Sequence, residues 1–317
     1  MKLVVFCPKS EFSIENQNRL SSLGETKYTE QRKEYPISEL KKIASGANII
    51  AIDPDNFWGF EKAKNIVTQV AETLPDLKGV ALSTTSFGWV DLDYFKKRKI
   101  PVSNVPGYSR ESVAEHTLAL LLGLAKRIFV TDRKTQIGQY KLEMGFELKG
   151  KTLGIIGLGN IGSRVAEMAQ GIGMKVIAHN PSPRNISGIE MKSINEVLSE
   201  SDALTLHTRD CEEVHGLINK DTISKMKKGV IIVNTVDRSL VNEKDMAEAI
   251  TLGKVYGYAY EAEDLENTPL AKVENAIGIK GFGWYTKEAL ENMFSIWVDN
   301  IEAIAKGKPQ NVVASRL

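Results

Sequence analysis

Short apolar runs alternate with amphipathic stretches along the whole chain. The apolar runs predict buried strands, namely KLVVF, NIIAID, GVALST and IPVSN in the first third, then KTLGIIG, KVIAHN, DALTLH, GVIIVNT, VYGYAY and AIGIK. Helix-period stretches lie between them, such as IGSRVAEMAQGIG, SINEVLSES and EKDMAEAITLG. Strands separated by helices form βαβ units, so the pattern predicts an α/β fold with parallel sheets.

The strand series restarts at Lys151, after the polar stretch TDRKTQIGQYKLEMGFELKG. Two α/β units of unequal size follow from this restart, and a length of 317 residues fits about two domains. A last long helix is predicted from about Thr286 to Lys306, beyond the second series. The sequence alone leaves open which unit this helix packs on.

The composition is that of an ordinary soluble protein, with 42% hydrophobic and 26% charged residues and a net charge of +1. No global field therefore favours nucleic acid or an anionic membrane. Cys7 and Cys211 do not form a zinc spacing, so no metal site is predicted and a reducing compartment fits. The longest apolar run, LALLLGLA, is far shorter than the roughly 20 residues of a membrane span. These features predict a cytoplasmic protein.

The segment GIIGLGNIGSRVAEMAQ contains the strongest chemical signal. Gly157, Gly159 and Gly162 form a GxGxxG motif, with Asn160 and Ile161 inside it, between an apolar strand and an amphipathic helix. The glycines allow a tight turn, close approach of backbone to a pyrophosphate and tight helix–strand packing. The helix N-terminus adds free N–H groups. A dinucleotide site is the prediction, and a glycine-rich turn without a ligand is the alternative.

The next strand ends at Asn180, where an acidic residue ordinarily binds the adenosine ribose. Asparagine can hydrogen-bond a ribose hydroxyl but does not repel a 2′-phosphate. Ser182 and Arg184 follow and could meet that phosphate, unless Arg184 is only a solvated loop residue. The sequence predicts NAD or NADP as cofactor and favours NADP.

Asp237 and Arg238 stand side by side in NTVDRSLVNE, directly after the strand GVIIV. In open α/β sheets ligands bind at the carboxyl ends of strands. Neighbouring side chains of an extended segment point in opposite directions, so only one of the two faces a ligand without a bulge. An inward Asp237 would repel a carboxylate about 4 Å away by roughly 4 kcal/mol at an effective dielectric of about 20.

From about Leu77 to its end, the chain resembles the D-isomer-specific 2-hydroxyacid dehydrogenases, which include phosphoglycerate, glycerate, formate and D-lactate dehydrogenases. The likeness lies in IPVSNVPGYSRESVAEHTLALLLGLAKRI, KTLGIIGLGNIGSRVA, LTLH, NTVDRSLVNE and WYTKEALENM. It implies two Rossmann-like, doubly wound parallel-sheet domains in a homodimer. The discontinuous substrate domain would comprise residues 1–101 and 287–317, and the dinucleotide-binding domain residues 102–286.

The resemblance also implies further ligand contacts. In the substrate loop TTSFGWVD, backbone N–H groups around Gly88 would hold a carboxylate beside Phe87 and Trp89. Glu261 replaces an aspartate that meets the nicotinamide amide, and His116 matches a scaffold position. The implied cofactor contacts outside the glycine loop are His207, Thr208, Thr235, Val236, Asp237, Glu261 and Gly281.

The family's catalytic arginine, glutamate and histidine are only partly matched. Asp237 stands at the arginine position, Glu266 matches the glutamate, and Gly281 stands at the histidine position. An inward Arg238 would need an insertion and a compensating deletion, so Asp237 is favoured as the cleft residue. Lys280, beside Gly281, could replace the proton donor if burial lowered its pKa.

Tyr285 is a second replacement for the missing donor, since the four histidines, at positions 116, 179, 207 and 215, all precede this region. The sequence thus predicts an NAD(P)-dependent oxidoreductase that transfers hydride to or from a small 2-keto or 2-hydroxy acid, or a related carbonyl compound. The alternative is a dinucleotide-binding sensor or regulatory protein that has lost the chemistry. A small molecule is the expected partner in either case, not nucleic acid or a membrane.

Overall fold

The computed structural model describes residues 1–182, 184–208, 212–262 and 265–313. It divides into two compact units, each described by itself below. Unit 1 comprises Met1–Tyr108 and Lys287–Leu317, and unit 2 comprises Ser109–Thr286. Each unit is a parallel sheet with helices, so the predicted fold class is confirmed.

The secondary structure follows the alternation seen in the sequence. The strands are β1 Lys2–Pro8, β2 Glu25–Thr29, β3 Ile49–Ile52, β4 Gly79–Leu82, β5 Val102–Ser103, β6 Thr152–Ile156, β7 Lys175–His179, β8 Ile189–Met191, β9 Ala203–Leu206, β10 Val230–Asn234, β11 Val255–Ala262 and β12 Ala276–Lys280. The α-helices are α1 Ile14–Ser22, α2 Ile37–Ala44, α3 Gly59–Ala71, α4 Leu92–Lys97, α5 Arg110–Ala125, α6 Ile128–Gln136, α7 Asn160–Gly171, α8 Ile194–Glu200, α9 Lys220–Lys225, α10 Glu243–Thr251 and α11 Lys287–Ala305.

In unit 1 the strand order is β2-β1-β3-β4-β5, with every pair parallel. This is the flavodoxin-like doubly wound order, in which the strand order reverses between β1 and β3. Helix α11 packs on this sheet, since the Trp297 indole N–H donates to the Ala81 carbonyl at 3.0 Å. The buried Asn300 amide likewise donates to the Asn104 carbonyl at 2.7 Å. The last helix therefore belongs to unit 1.

In unit 2 the order is β12-β11-β10-β9-β6-β7-β8, again entirely parallel. The order reverses between β6 and β9, as it does in dinucleotide-binding sheets. Its strands are buried on both faces, between one core cluster that includes α5 and α7 and another that includes α8, α9 and α10. The carboxyl ends of β6 and β9 are therefore the expected ligand edge.

The two units meet along the chain a few residues later than the sequence-based limit of 101. Val102 and Ser103 form β5, whose residues pair with Val80 and Ala81 of β4. Val105 is buried in the unit 1 core. Residues 102–108 thus group with unit 1, and the limit at 286 and 287 coincides with the predicted one. Within the described residues, no helix is long and apolar enough to cross a membrane.

Candidate functional site

The glycine loop joins β6 to α7 at the point where the unit 2 strand order reverses. Gly157 has a φ of 98°, and a Cβ there would lie 2.4 Å from the His207 carbonyl oxygen. A Cβ at Gly162 would lie 2.1 Å from the Gly157 carbonyl oxygen. A Cβ at Gly159, by contrast, would meet nothing within 4 Å. Two glycines are required by the fold, and the middle one leaves open space at the N-terminus of α7, the position at which doubly wound dinucleotide-binding sheets hold a pyrophosphate.

Two buried polar atoms lie beside this loop, at the carboxyl end of β9. His207 Nε2 and Thr208 Oγ1 have no hydrogen-bond partner among the described residues. Burial lowers the pKa of His207 to about 4, so its imidazole is neutral at pH 7. Buried polar atoms in folded proteins are nearly always paired, so these two are suited to a bound polar ligand.

Asn180 directly follows β7, and its side chain makes two hydrogen bonds. Its Oδ1 accepts from the Leu158 N–H at 3.0 Å, and its Nδ2 donates to the Ser182 carbonyl at 2.7 Å. The side chain therefore ties the glycine loop to the loop that carries Ser182 and Arg184, both of which are exposed. This bridge was not predicted, and it leaves the Asn180 oxygen less available to a ribose hydroxyl than the two oxygens of an aspartate would be.

Asn160 and Ile161 occupy the first turn of α7. Asn160 is exposed, whereas Ile161 is half-buried against the unit 2 core. Backbone N–H groups of this turn lie at the open space left by Gly159, and they are the natural donors to a phosphate.

The geometry of unit 2 agrees with the comparison to known proteins. Residues 118–279 match the family model described as "D-isomer specific 2-hydroxyacid dehydrogenase, NAD binding domain". A hydroxypyruvate reductase of Blautia hydrogenotrophica is 33% identical over 261 residues, which cover 77% of this chain and 81% of that protein. The chain belongs to the D-isomer-specific 2-hydroxyacid dehydrogenase family. The prediction of a nicotinamide-dependent dehydrogenase or reductase is confirmed at this level.

Two further relatives span almost the whole chain. An aromatic 2-oxoacid reductase of Clostridium sporogenes is 30% identical over 327 aligned positions, covering 95% of this chain and 96% of that protein. The solved structure of an acyclic imino acid reductase (Bsp5), in complex with NADPH and D-Arg, is 27% identical with a TM-score of 0.85. It covers 99% of this chain and 100% of that chain.

The segment after β10 contains Asp237, which is predicted to stand at the family's arginine position. Asn234 is fully buried, and its Nδ2 donates to the Asp237 carbonyl at 2.7 Å while its Oδ1 accepts from the Val236 N–H at 3.0 Å. Thr235 lies beside helix α5, its hydroxyl 3.5 Å from that of Thr117. Asp237 is exposed and extended, and its Oδ1 accepts from the Ser239 N–H at 2.7 Å. This carboxylate stands at the carboxyl end of the strand.

Arg238 begins a short 3-10 turn and is held by an acid. Its Nε and Nη2 donate to the two Glu243 carboxylate oxygens at 2.7 and 2.8 Å. Thr268 also donates to Glu243, at 2.8 Å. A two-bond pair with a half-buried acid constrains the guanidinium in both position and plane. This arrangement favours Asp237 over Arg238 as the residue presented to a ligand, and the partner role of Glu243 carried no sequence signal.

The segment after β12 bears no imidazole. The Gly281 N–H donates to the Ala262 carbonyl at 3.2 Å, which continues the pairing of β11 with β12. Lys280 is exposed at the last position of β12, Glu266 lies in the exposed loop after β11, and Tyr285 is exposed further on. The sequence-predicted replacements for the proton donor are therefore surface groups in unit 2.

The four histidines all lie in unit 2, outside this segment. His179 ends β7 beside Ile156 and the glycine loop, with its Nδ1 3.2 Å from the Lys192 carbonyl, and His215 is exposed in the connection after β9. His116, on α5, places its Nε2 3.3 Å from Glu261 Oε1. This last contact joins residues far apart in the chain and was not foreseen from the sequence.

In unit 1 residues 84–89 form the loop that is predicted to correspond to the family's substrate loop. Gly88 is exposed and Phe87 is half-buried against the core. Trp89 is 3% exposed, and its indole N–H donates to Thr84 Oγ1 at 3.0 Å and the Ser86 carbonyl at 2.9 Å. Its ring packs in the unit 1 core, and a role of Trp89 beside a bound carboxylate stays a prediction.

Proposed function

We propose that this protein is an NAD(P)-dependent oxidoreductase acting on a small 2-keto or 2-hydroxy acid or a related carbonyl compound, with altered catalytic residues. The observation that carries the proposal is the open space at Gly159. This residue lies between Gly157 and Gly162, where a side chain would collide with backbone atoms. A nicotinamide dinucleotide, when bound, would supply or accept the hydride. Gly159 and the first turn of α7 would hold its pyrophosphate, and His207 and Thr208 would offer polar atoms beside it.

NADP is the proposed cofactor, because Asn180 carries no charge and its oxygen is engaged by the Leu158 N–H. Nothing at this strand end would therefore repel a 2′-phosphate. The exposed Arg184 could pair with such a phosphate.

Simple 2-keto acids should be poor substrates. Asp237 presents a carboxylate where the family presents an arginine, and Arg238 is committed to Glu243. Gly281 has no side chain to deliver a proton to a carbonyl oxygen. Loss of a positioned acid–base group typically lowers a rate by about 10²–10⁴-fold.

A protonated C=N group is the second candidate, favoured by the same departures. Its nitrogen already bears the proton that a ketone oxygen must receive, so reduction yields a neutral amine without a donor from the protein. Asp237 would attract this cationic nitrogen, whereas a 2-keto acid offers Asp237 only a carboxylate to repel. The likeness to an acyclic imino acid reductase at 27% identity supports this candidate.

The test of the substrate class compares four proteins: the parent, Asp237→Arg, Gly281→His and the double variant. We expect the double variant to gain NAD(P)H oxidation with pyruvate, glyoxylate or hydroxypyruvate, and each single variant to gain much less, because groups that act together are non-additive. The parent should prefer mixtures of a 2-keto acid with an amine. Parental turnover of keto acids that is abolished by Arg238→Ala and unaffected by Asp237→Ala would refute this assignment.

The test of the cofactor site compares Gly159→Val with Gly171→Val. Both positions would place a Cβ in open space on an ordinary backbone, but only Gly159 lies at the N-terminus of α7. We expect Gly159→Val alone to abolish NADPH binding in titration calorimetry. Equal affinities in both variants would refute the site, and binding without turnover of any carbonyl or imine would favour the sensor function.

A homodimer and a cytoplasmic location remain part of the proposal. The segment after α6 exposes apolar side chains that are costly to leave in water, with Leu142 99%, Met144 89% and Tyr140 84% exposed. A second copy of the chain would cover them. The reducing compartment rests on the sparse cysteines.

A further inference from the structure

Glu261 lies near the end of β11 and binds the segment that follows β12. Its Oε1 accepts the Phe282 N–H at 2.9 Å and the Gly283 N–H at 2.8 Å. The same oxygen lies 3.3 Å from His116 Nε2, and the carboxylate is almost fully buried. One side-chain oxygen therefore accepts hydrogen bonds from two backbone N–H groups and lies close to an imidazole nitrogen, without a hydrogen bond to it.

The segment fits closely against this pair. A Cβ at Gly283 would lie 2.9 Å from His116 Cδ2 and 3.0 Å from Glu261 Oε2, so a larger residue would displace the His116 ring or the Glu261 carboxylate. Ser112, one turn before His116 on α5, donates its hydroxyl to the Gly283 carbonyl. The Phe282 ring meets the His116 ring edge-on at 5.2 Å. Glu261 of strand β11 thus holds the Gly283 N–H, and Ser112 of helix α5 holds the Gly283 carbonyl.

The charge of Glu261 agrees with this geometry. Burial raises the pKa of its carboxyl, but the nearby His116 imidazole and the two N–H groups outweigh burial and hold that pKa below its ordinary value. An ionised carboxylate is the stronger acceptor for two backbone donors.

We infer that Glu261, supported by His116, is a positioning residue that fixes residues 281–283 at the carboxyl edge of the unit 2 sheet. This is the segment on which the family resemblance places a proton-transferring histidine. Glu261 would then act through the backbone of Phe282 and Gly283, and not by binding the nicotinamide amide as the family's aspartate does. The inference rests on the proposed dinucleotide site, since residues 281–283 have a role in the reaction only if a nicotinamide cofactor binds beside them.

The length of the side chain separates the two roles. Aspartate is shorter by one methylene, roughly 1.5 Å. If the position serves the nicotinamide, Glu261→Asp restores the family residue and should bind NADPH at least as well as the parent. If Glu261 positions the segment, aspartate no longer reaches both N–H groups, whereas Glu261→Gln keeps an acceptor oxygen at the right distance.

The experiment measures hydrogen–deuterium exchange of the peptide that carries Phe282 and Gly283 in the parent, Glu261→Asp and Glu261→Gln. Glu190→Asp, an exposed position on β8, is the matched control. We expect Glu261→Asp to speed exchange by about ten- to hundredfold, as loss of hydrogen bonds to a charged group implies, and Glu261→Gln to restore most of the protection. Exchange in Glu261→Asp equal to that of the control would overturn the inference.

Binding and kinetics complete the test. The affinity for NADPH relative to 2′-phospho-ADP-ribose, which lacks nicotinamide, should change less than about threefold in Glu261→Asp, while kcat falls and KM for NADPH is kept. A selective tenfold loss of NADPH affinity in Glu261→Gln would overturn the inference and assign Glu261 to the nicotinamide. If no nucleotide binds to any variant, the proposed function fails, and the exchange result still decides the role of Glu261.

Discussion

Units 1 and 2 each contain one point where the strand order reverses, between β1 and β3 in the first and between β6 and β9 in the second. Ligands of doubly wound sheets bind at such points. In unit 2 this edge consists of glycines and of buried polar atoms, His207 Nε2 and Thr208 Oγ1, without partners among the described residues. In unit 1 the corresponding edge is occupied by paired charges.

Arg32 is at the centre of the unit 1 edge. Its Nη1 lies 2.8 Å from Asp53 Oδ2, directly after β3, and its Nη2 lies 2.8 Å from Glu11 Oε2. Ser83, directly after β4, donates to Asp53 Oδ2 at 2.7 Å. Burial raises the pKa of the neighbouring Cys7 thiol, so it stays protonated and adds no charge.

Sheet topology alone therefore does not make a binding site. At a reversal of strand order, side chains can pair with one another, as in unit 1. They can also leave open space and polar atoms without hydrogen-bond partners, as in unit 2. A ligand gains most where the protein has not already supplied the partners. Unit 2 therefore carries the cofactor proposal, and the charges of unit 1 are read as structural.

The largest effect is expected from Gly157→Ala in unit 2. The new Cβ would meet the His207 carbonyl at 2.4 Å on a backbone with a φ of 98°, so the loop must move. We expect a loss of about 3–4 kcal/mol in the free energy of unfolding and no measurable NADPH binding. Gly159→Ala is the matched control, since its Cβ enters open space and should leave the melting temperature nearly unchanged. Similar melting temperatures for the two variants would contradict the loop geometry.

Arg32→Met is expected to cost about 3 kcal/mol of stability by leaving Asp53 buried without its cation. The affinity for NADPH, a property assigned to unit 2, should not change. Calorimetric unfolding and nucleotide titration measure the two quantities, with the exposed Lys27→Met on β2 as control. Equal melting temperatures for Arg32→Met and Lys27→Met would show that the ion pairs of Arg32 do not stabilise unit 1.

The pH dependence of stability should reveal the unmatched imidazole of unit 2. Burial lowers the pKa of His207 to about 4 from 6.5, so the folded state favours the neutral ring. The free energy of unfolding is therefore highest above pH 6.5, where the ring is neutral in both the folded and the unfolded state. It falls by about 2–3 kcal/mol as the pH falls towards 4, because the unfolded state binds the proton more readily. Urea unfolding of the parent and of His207→Asn across this range measures the difference. Parallel curves would show that His207 titrates normally.

Most of the fold was predictable because buried parallel strands are continuous apolar runs. The strands that the pattern missed, β2 with sequence ETKYT and β8 with sequence IEM, lie at sheet edges and are partly exposed. Their polar side chains face water, so their sequences resemble loops. The same reasoning left α11 unassigned, since an apolar helix face does not reveal which sheet it covers.

The candidate site was predictable only where the constraint is local. The glycine loop needs small residues within a few positions of one another, and such spacing is visible in the sequence. The bond from Asn180 to Leu158, the pairing of Arg238 with Glu243 and the contact of His116 with Glu261 depend on folding. Whether a charged group is free for a ligand is decided by these partners.

The smallest effect, and the finest distinction, concerns cofactor choice at the end of β7. Arg184→Ala should weaken NADPH binding by about five- to tenfold, because an exposed guanidinium that pairs with a 2′-phosphate contributes about 1 kcal/mol. NADH, which lacks the phosphate, should bind as before, and the loss should shrink at high salt. Lys175→Ala, at the opposite end of the same strand, controls for the loss of one positive charge. Asn180→Asp should act in the same direction as Arg184→Ala, since a carboxylate would repel the phosphate. Equal losses for NADH and NADPH in Arg184→Ala would remove this residue from the site and leave Asn180 alone to explain any preference.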